Sequence, residues 1–171
     1  MRRRSIGFGS ILRGVSRSMS ALQQAGSRKC CWSVAQRAKG QLHASLAGDP
    51  RVTALEECDA RTLDRTLVPD AVGAIVVDVS FISLRKALPS ALALTAPGCW
   101  LVALVKPQFE VGREGVGKGG IVRDPALHEQ ALADVRDWLV AQAGWSVIGD
   151  MPSPIKGGSG NVEFLLAGGR R

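Results

Sequence analysis

The 171-residue chain is long enough for one domain with its own core, and 46% of it is apolar. No apolar run reaches bilayer-spanning length, which excludes a transmembrane helix and points to a cytoplasmic setting. The net charge of +7 invites a nucleic-acid reading, but residues 1–40 carry nine basic residues and no acid, whereas residues 41–171 carry thirteen basic and fifteen acidic ones, a net of −2.

Residues 1–38 are therefore set apart as an atypical basic segment without a hydrophobic period. The segment reads as a nucleic-acid arm, a targeting peptide or an artefact, and its arginine- and serine-rich start loosely resembles a transit peptide. From residue 39 to residue 171 the chain reads as one α/β domain.

The β-branched run Val72–Val79 predicts a strand buried on both faces, interrupted near its end by Asp78. Ser83 is a candidate helix cap, and Leu84, Leu88, Ala91 and Leu92 follow at helical spacing, with Pro89 demanding a kink or a late start. "TAPGC" predicts a turn, and Trp100–Val105 a second buried strand ending at Lys106-Pro107. A glycine-rich loop, Gly112–Gly120, comes next. Asp124-Pro125 is a strong helix start, followed by one apolar face at Leu127, Ala131, Leu132, Val135 and Leu139, with Gly144 as the stop. "WSVIGD" and "VEFLLAG" read as two further strands joined by a loop, which predicts an antiparallel edge pair. Strand and helix alternate as in a doubly wound sheet, where ligands bind beyond the C-terminal strand ends. Asp78 and Lys106 fall there.

Asp78, Lys106 and Glu163 each stand at the edge of an apolar strand. A lone buried charge is costly, so such residues are usually paired. They form either a structural ion cluster, three solvated strand ends, or a site in which two carboxylates orient a lysine toward a hydroxyl proton. The sequence Gly112-x-x-x-x-Gly117-Lys118 approaches a phosphate-binding P-loop, but Gly119 stands where Ser or Thr would hold magnesium, and the helix signal comes only at Asp124. The loop reads better as a lid that brings Arg113 and Lys118 to an anionic substrate, or as an exposed loop without such a role. His43 and His128 receive no role, and His128 is expected to face solvent. Cys30, Cys31, Cys58 and Cys99 lack zinc-type spacing and read as reduced thiols.

The blocks "VVDVSFISLRKALP" (76–89), "LVKPQFEVGREGVGKGGIVRDP" (104–125) and "SPIKGGSGNVEFLLAG" (153–168) closely resemble the TlyA, or hemolysin A, family. These are FtsJ-like, S-adenosylmethionine-dependent methyltransferases of ribose 2′-hydroxyls in ribosomal RNA. The resemblance implies a Rossmann-like methyltransferase fold with a seven-stranded sheet ending in an antiparallel strand. It implies S-adenosyl-L-methionine as cofactor and ribosomal RNA or a ribosomal subunit as partner. Such enzymes use a Lys-Asp-Lys-Glu tetrad, onto which Asp78, Lys106 and Glu163 map in order. Lys106 then acts as base or hydroxyl orienter, aligned by Asp78 and Glu163. Asp59 falls near the family's adenine contact, and Arg113 and Lys118 border the RNA entry.

The chain also departs from the family. No stretch matches its glycine-containing cofactor loop, no acid lies near Ser33–Arg37 to hold the cofactor ribose, and neither the first tetrad lysine nor the small N-terminal RNA-binding domain is found. The expected fold is thus incomplete at its N-terminus, with part of residues 1–38 out of frame or disordered. One codon choice for Ile11–Ser18, read from the third base, yields Ser-Thr-Gly-Gly-Phe-Thr-Glu, close to the missing loop. An exposed sheet edge and poor solubility follow from a missing first strand. The alternative function is a catalytically dead α/β module that binds RNA.

Overall fold

The structure, a computed structural model, describes residues 30–34, 49, 51–155, 157 and 160–171. Among the described residues, five strands form one sheet in the order β1-β2-β3-β5-β4. They are β1 (Cys30–Val34), β2 (Val72–Val77), β3 (Thr95–Val105), β4 (Trp145–Pro152) and β5 (Phe164–Arg170). The first three run parallel, and β5 is antiparallel to both β3 and β4. The last two strands form the expected antiparallel pair at one edge, with β4 outermost.

The sequence reading places no strand in residues 1–38, yet β1 lies there and pairs with β2 from Cys30↔Val72 to Val34↔Val77. It occupies the edge beside β2 that the sequence reading leaves bare. Ile11–Ser18, where an out-of-frame cofactor loop is expected, lies outside the described residues, as does His43. "TAPGC" is not a free turn but part of β3. Thr95 pairs with Val72 and Trp100 with Ala74, so the intervening residues bulge, with Gly98 at φ +79°.

Among the described residues, the α-helices between the strands are α1 (Leu84–Ala87), α2 (Pro89–Ala93), α3 (Pro107–Glu110) and α4 (Pro125–Val140). Pro89 breaks the α1–α2 segment as its missing N–H requires, and α2 restarts with it at the first helical position. Asp124 caps α4 by accepting from the Ala126 amide at 2.9 Å.

The core follows from two periodicities meeting. Ile75, Val77, Leu101, Ala103 and Val105 alternate onto one sheet face and are at most 1% exposed. They pack in one cluster with Leu84 of α1 and Leu132, Val135 and Leu139 of α4. Val76, Val102 and Leu104, on the opposite face, are less covered. At about 1.5–3 kcal/mol per large apolar side chain fully buried, the helix-covered face dominates stability. It holds the strand ends, and therefore the site, in fixed register.

Candidate active site

Parallel pairing of β2 and β3, with Val77 opposite Ala103, brings both strands out of the sheet at the same edge. Asp78 and Lys106 are the next residues after these strands. β5 runs the other way and enters at that edge, Phe164 opposite Val105, so Glu163 arrives there from the preceding loop. Three ionisable residues distant in sequence thus meet because the last strand is inverted.

Lys106 Nζ lies 2.6 Å from Asp78 Oδ1 and donates to Ser80 Oγ at 3.0 Å. The lysine side chain is 13% exposed and the aspartate 67%, so the pair has a dry side and a wet side. Glu163 is buried. Burial holds its carboxyl above the usual carboxylate range; the Lys106 ammonium opposes this, Asp78 adds to it, and a hydrogen bond with the Gln108 side chain opposes it. The Glu163 carbonyl accepts from the Ser153 amide at 2.7 Å, which fixes the backbone beneath the carboxylate. Its Oε1 lies only 2.4 Å from where a Cβ on Gly157 would stand, so a side chain there would push the carboxylate from this position.

Arg113 opens a 3-10 turn (Arg113–Gly115), and Lys118 lies in a tight loop closed by the Gly117–Ile121 bridge. Both are exposed, and neither forms an ion pair among the described residues. Gly119 and Gly120 have φ of +82° and +76°, which the loop needs to reverse. Asp59 caps the turn Ala60–Thr62, and both its oxygens are taken by Arg61, the shorter contact being 2.6 Å.

Several residues near the site escape sequence reasoning. Ser80 and Gln108 contact Lys106 and Glu163 respectively, and each follows an assigned residue by two positions. Glu110 is buried; its carboxylate accepts from Ser83 Oγ and from the Leu84 amide, both at 2.7 Å. Burial pushes its carboxyl up, against those bonds and the Arg85 guanidinium. Phe81 is 91% exposed, holds a left-handed φ of +63°, and stands 5.2 Å from the Phe109 ring. His128 does not face solvent as its position beside Glu129 predicts. It is half-buried, with Nε2 2.8 Å from the Val122 carbonyl and its ring against Phe164. Among the described residues, no helix is long and apolar enough to cross a membrane.

The 16S/23S rRNA (cytidine-2′-O)-methyltransferase TlyA of Mycobacterium tuberculosis is 43% identical over 127 residues, 74% of this chain and 47% of that protein. Hemolysin A of Brachyspira hyodysenteriae is 36% identical over 73% of this chain and 52% of its own length. The chain spans about half the length of these curated relatives. A crystal structure provisionally described as a hemolysin from Lactococcus lactis superposes with a TM-score of 0.77 at 30% identity, covering 99% of this chain and 90% of that one. The family model for FtsJ-like methyltransferases matches residues 18–170, so it includes β1 and the whole Asp78–Lys106–Glu163 edge, and the chain belongs to that family.

Proposed function

We propose that the protein methylates ribose 2′-hydroxyls of ribosomal RNA in the cytoplasm, with S-adenosylmethionine as donor and the Asp78–Lys106–Glu163 cluster as the reacting centre. The observation that carries this reading is the 2.6 Å Lys106–Asp78 pair beside a buried Glu163, at the sheet edge where β2 and β3 end, in a chain of the FtsJ-like family. The name of the Mycobacterium tuberculosis relative supports the choice of substrate.

An ammonium has three N–H donors. Asp78 and Ser80 occupy two of those on Lys106, leaving the third for the oxygen of an incoming hydroxyl. Asp78 keeps the lysine aimed, and its exposed side gives the hydroxyl a route in. With Lys106 protonated, the hydroxyl proton goes to a carboxylate, and Glu163, with its proton affinity raised by burial, is the acceptor this cluster offers. Two carboxylates around one ammonium leave the cluster net negative, which fits a sulfonium. When bound, S-adenosylmethionine supplies the electrophilic methyl. Asp59 is the residue assigned to the adenosine side, and its carboxylate must leave Arg61 to serve there. Arg113 and Lys118 offer phosphate contacts, and Phe81 offers an exposed ring on which a base can stack.

The test is to incubate the chain with ribosomal RNA and radiolabelled S-adenosylmethionine and to identify the product nucleoside by mass spectrometry. A 2′-O-methyl nucleoside is expected, and Lys106→Ala is expected to lower turnover by about 10²-fold or more while RNA binding persists. RNA binding without label from the wild type would favour the catalytically dead module. Absence of binding would reject both readings.

A further inference from the structure

Asn161 is buried, 3% exposed, yet its side chain belongs to neither the sheet nor the reacting cluster. Its Oδ1 accepts from the Val122 amide at 3.1 Å, and its Nδ2 donates to the Gly120 carbonyl at 2.9 Å. One amide thus grips the returning limb of the glycine-rich loop twice, at Gly120 and at Val122. Its own carbonyl accepts from the Gly157 amide at 3.0 Å, and Gly157 is the residue against which Glu163 Oε1 is packed. Val122 is held a second time, by His128 through its carbonyl, and the His128 ring meets Phe164, the residue after Glu163. Both grips on the loop therefore lead to the same place in the chain, the Glu163–Phe164 step.

We propose that Asn161 is a positioning residue that couples the RNA-facing loop, with Arg113 and Lys118, to the backbone that carries Glu163. The inference rests on the RNA reading of that loop given above. The loop's inner turn is closed by its own bonds, Gly117 N–H to Ile121 O at 3.0 Å and Gly120 N–H to Gly117 O at 3.1 Å. It can therefore move as a unit about its base, where Asn161 holds it. A phosphate drawn to Lys118 pulls on Gly120–Val122, and through Asn161 on the two residues before Glu163. An amide suits this task because it donates and accepts at once, which an aspartate or an alanine cannot do.

The test is hydrogen exchange of the full chain with and without a ribosomal RNA fragment, for wild type, Asn161→Ala and Asn161→Asp, each first shown to be folded by its melting curve. In the free protein, Asn161→Ala is expected to speed exchange of the Val122 amide about tenfold, as loss of one buried hydrogen bond does. Asn161→Asp keeps the acceptor and is expected to protect Val122 while freeing the Gly120 side. In the wild type, RNA is expected to slow exchange both in 112–122 and in 160–166. In either variant, the slowing is expected to persist in 112–122 and to weaken in 160–166, more in Asn161→Ala than in Asn161→Asp, which keeps the Val122 bond. RNA-linked protection of 160–166 that is undiminished in both variants overturns the coupling. Wild-type protein that binds no RNA overturns the RNA reading and this inference together, while the Val122 amide still reports whether the grip exists.

Discussion

Replacing Glu110 separates what its charge does from what its shape does. The side chain is 1% exposed and accepts two bonds of 2.7 Å, from Ser83 Oγ and from the Leu84 amide at the start of α1. The Arg85 guanidinium stands 3.5 Å away. Bonds to an ionised acceptor contribute about 1.5–3 kcal/mol each, but burial of the charge offsets part of this, as the raised carboxyl shows. Glu110→Ala leaves a buried helix-start amide without a partner and opens a small void. A loss of about 2–4 kcal/mol follows. Glu110→Gln keeps one acceptor for Leu84 and can donate to Ser83 Oγ, which already accepts from the Arg85 amide at 3.2 Å and has a second lone pair. It also removes the buried charge, so its cost is expected to stay below about 1 kcal/mol. Urea unfolding midpoints at constant slope measure both. An alanine variant within about 0.5 kcal/mol of wild type refutes the anchoring, and a glutamine variant as weak as alanine shows that the ion pair with Arg85 carries the effect.

Gly157→Ala places a Cβ 2.4 Å from Glu163 Oε1, forcing the carboxylate aside by about 1 Å. Because a flexible side chain yields, the melting temperature is expected to change little, while methyl transfer falls by about 10–10²-fold. For Glu163 the folded carboxyl is raised above its unfolded value, so its contribution to stability is lost as pH rises from the ordinary carboxylate range through the folded value. Paired melting curves are therefore expected to show Glu163→Gln gaining on wild type as pH increases through that window, and a constant gap would contradict the assignment. Lys118→Ala is expected to weaken RNA binding and to reduce the slope of log affinity against log salt by about 0.7–0.9, read by fluorescence anisotropy at several salt concentrations.

What could be read in advance was what depends on local pattern. The β-branched run of β2, the Asp124 cap and the proline break at Leu88 need only neighbours in sequence, and the structure shows each of them. Asp78 and Lys106 were legible because a charge closing an apolar strand is a local anomaly. Ser80, Gln108, Glu110 and Asn161 were not, because nothing near them in sequence marks their partners. Asn161 meets Val122 39 positions away, and Glu110 meets Leu84 26 positions away. β1 failed for a different reason. Its five residues sit among arginines and serines with no alternation to mark a strand, and only the register of β2 gives them a place.

The inverted strand explains why so much of the site lies in loops. A fourth parallel strand beside β3 would bring its C-terminal end to the edge where Asp78 and Lys106 emerge, and any acid there would follow the strand. β5 instead begins at that edge, so its acid must precede it, in the connection that returns antiparallel from β4. The described ends of that connection are tied together by the Ser153–Glu163 bond, and Asn161 holds it to the glycine-rich loop. The glycine at 157 leaves the Glu163 carboxylate in its present position, which a Cβ there would displace. A buried polar side chain needs partners, and Asn161 finds them on the returning limb of the glycine-rich loop, in the Val122 amide and the Gly120 carbonyl. The contact between the two loops therefore follows from inserting one antiparallel strand into an otherwise parallel sheet.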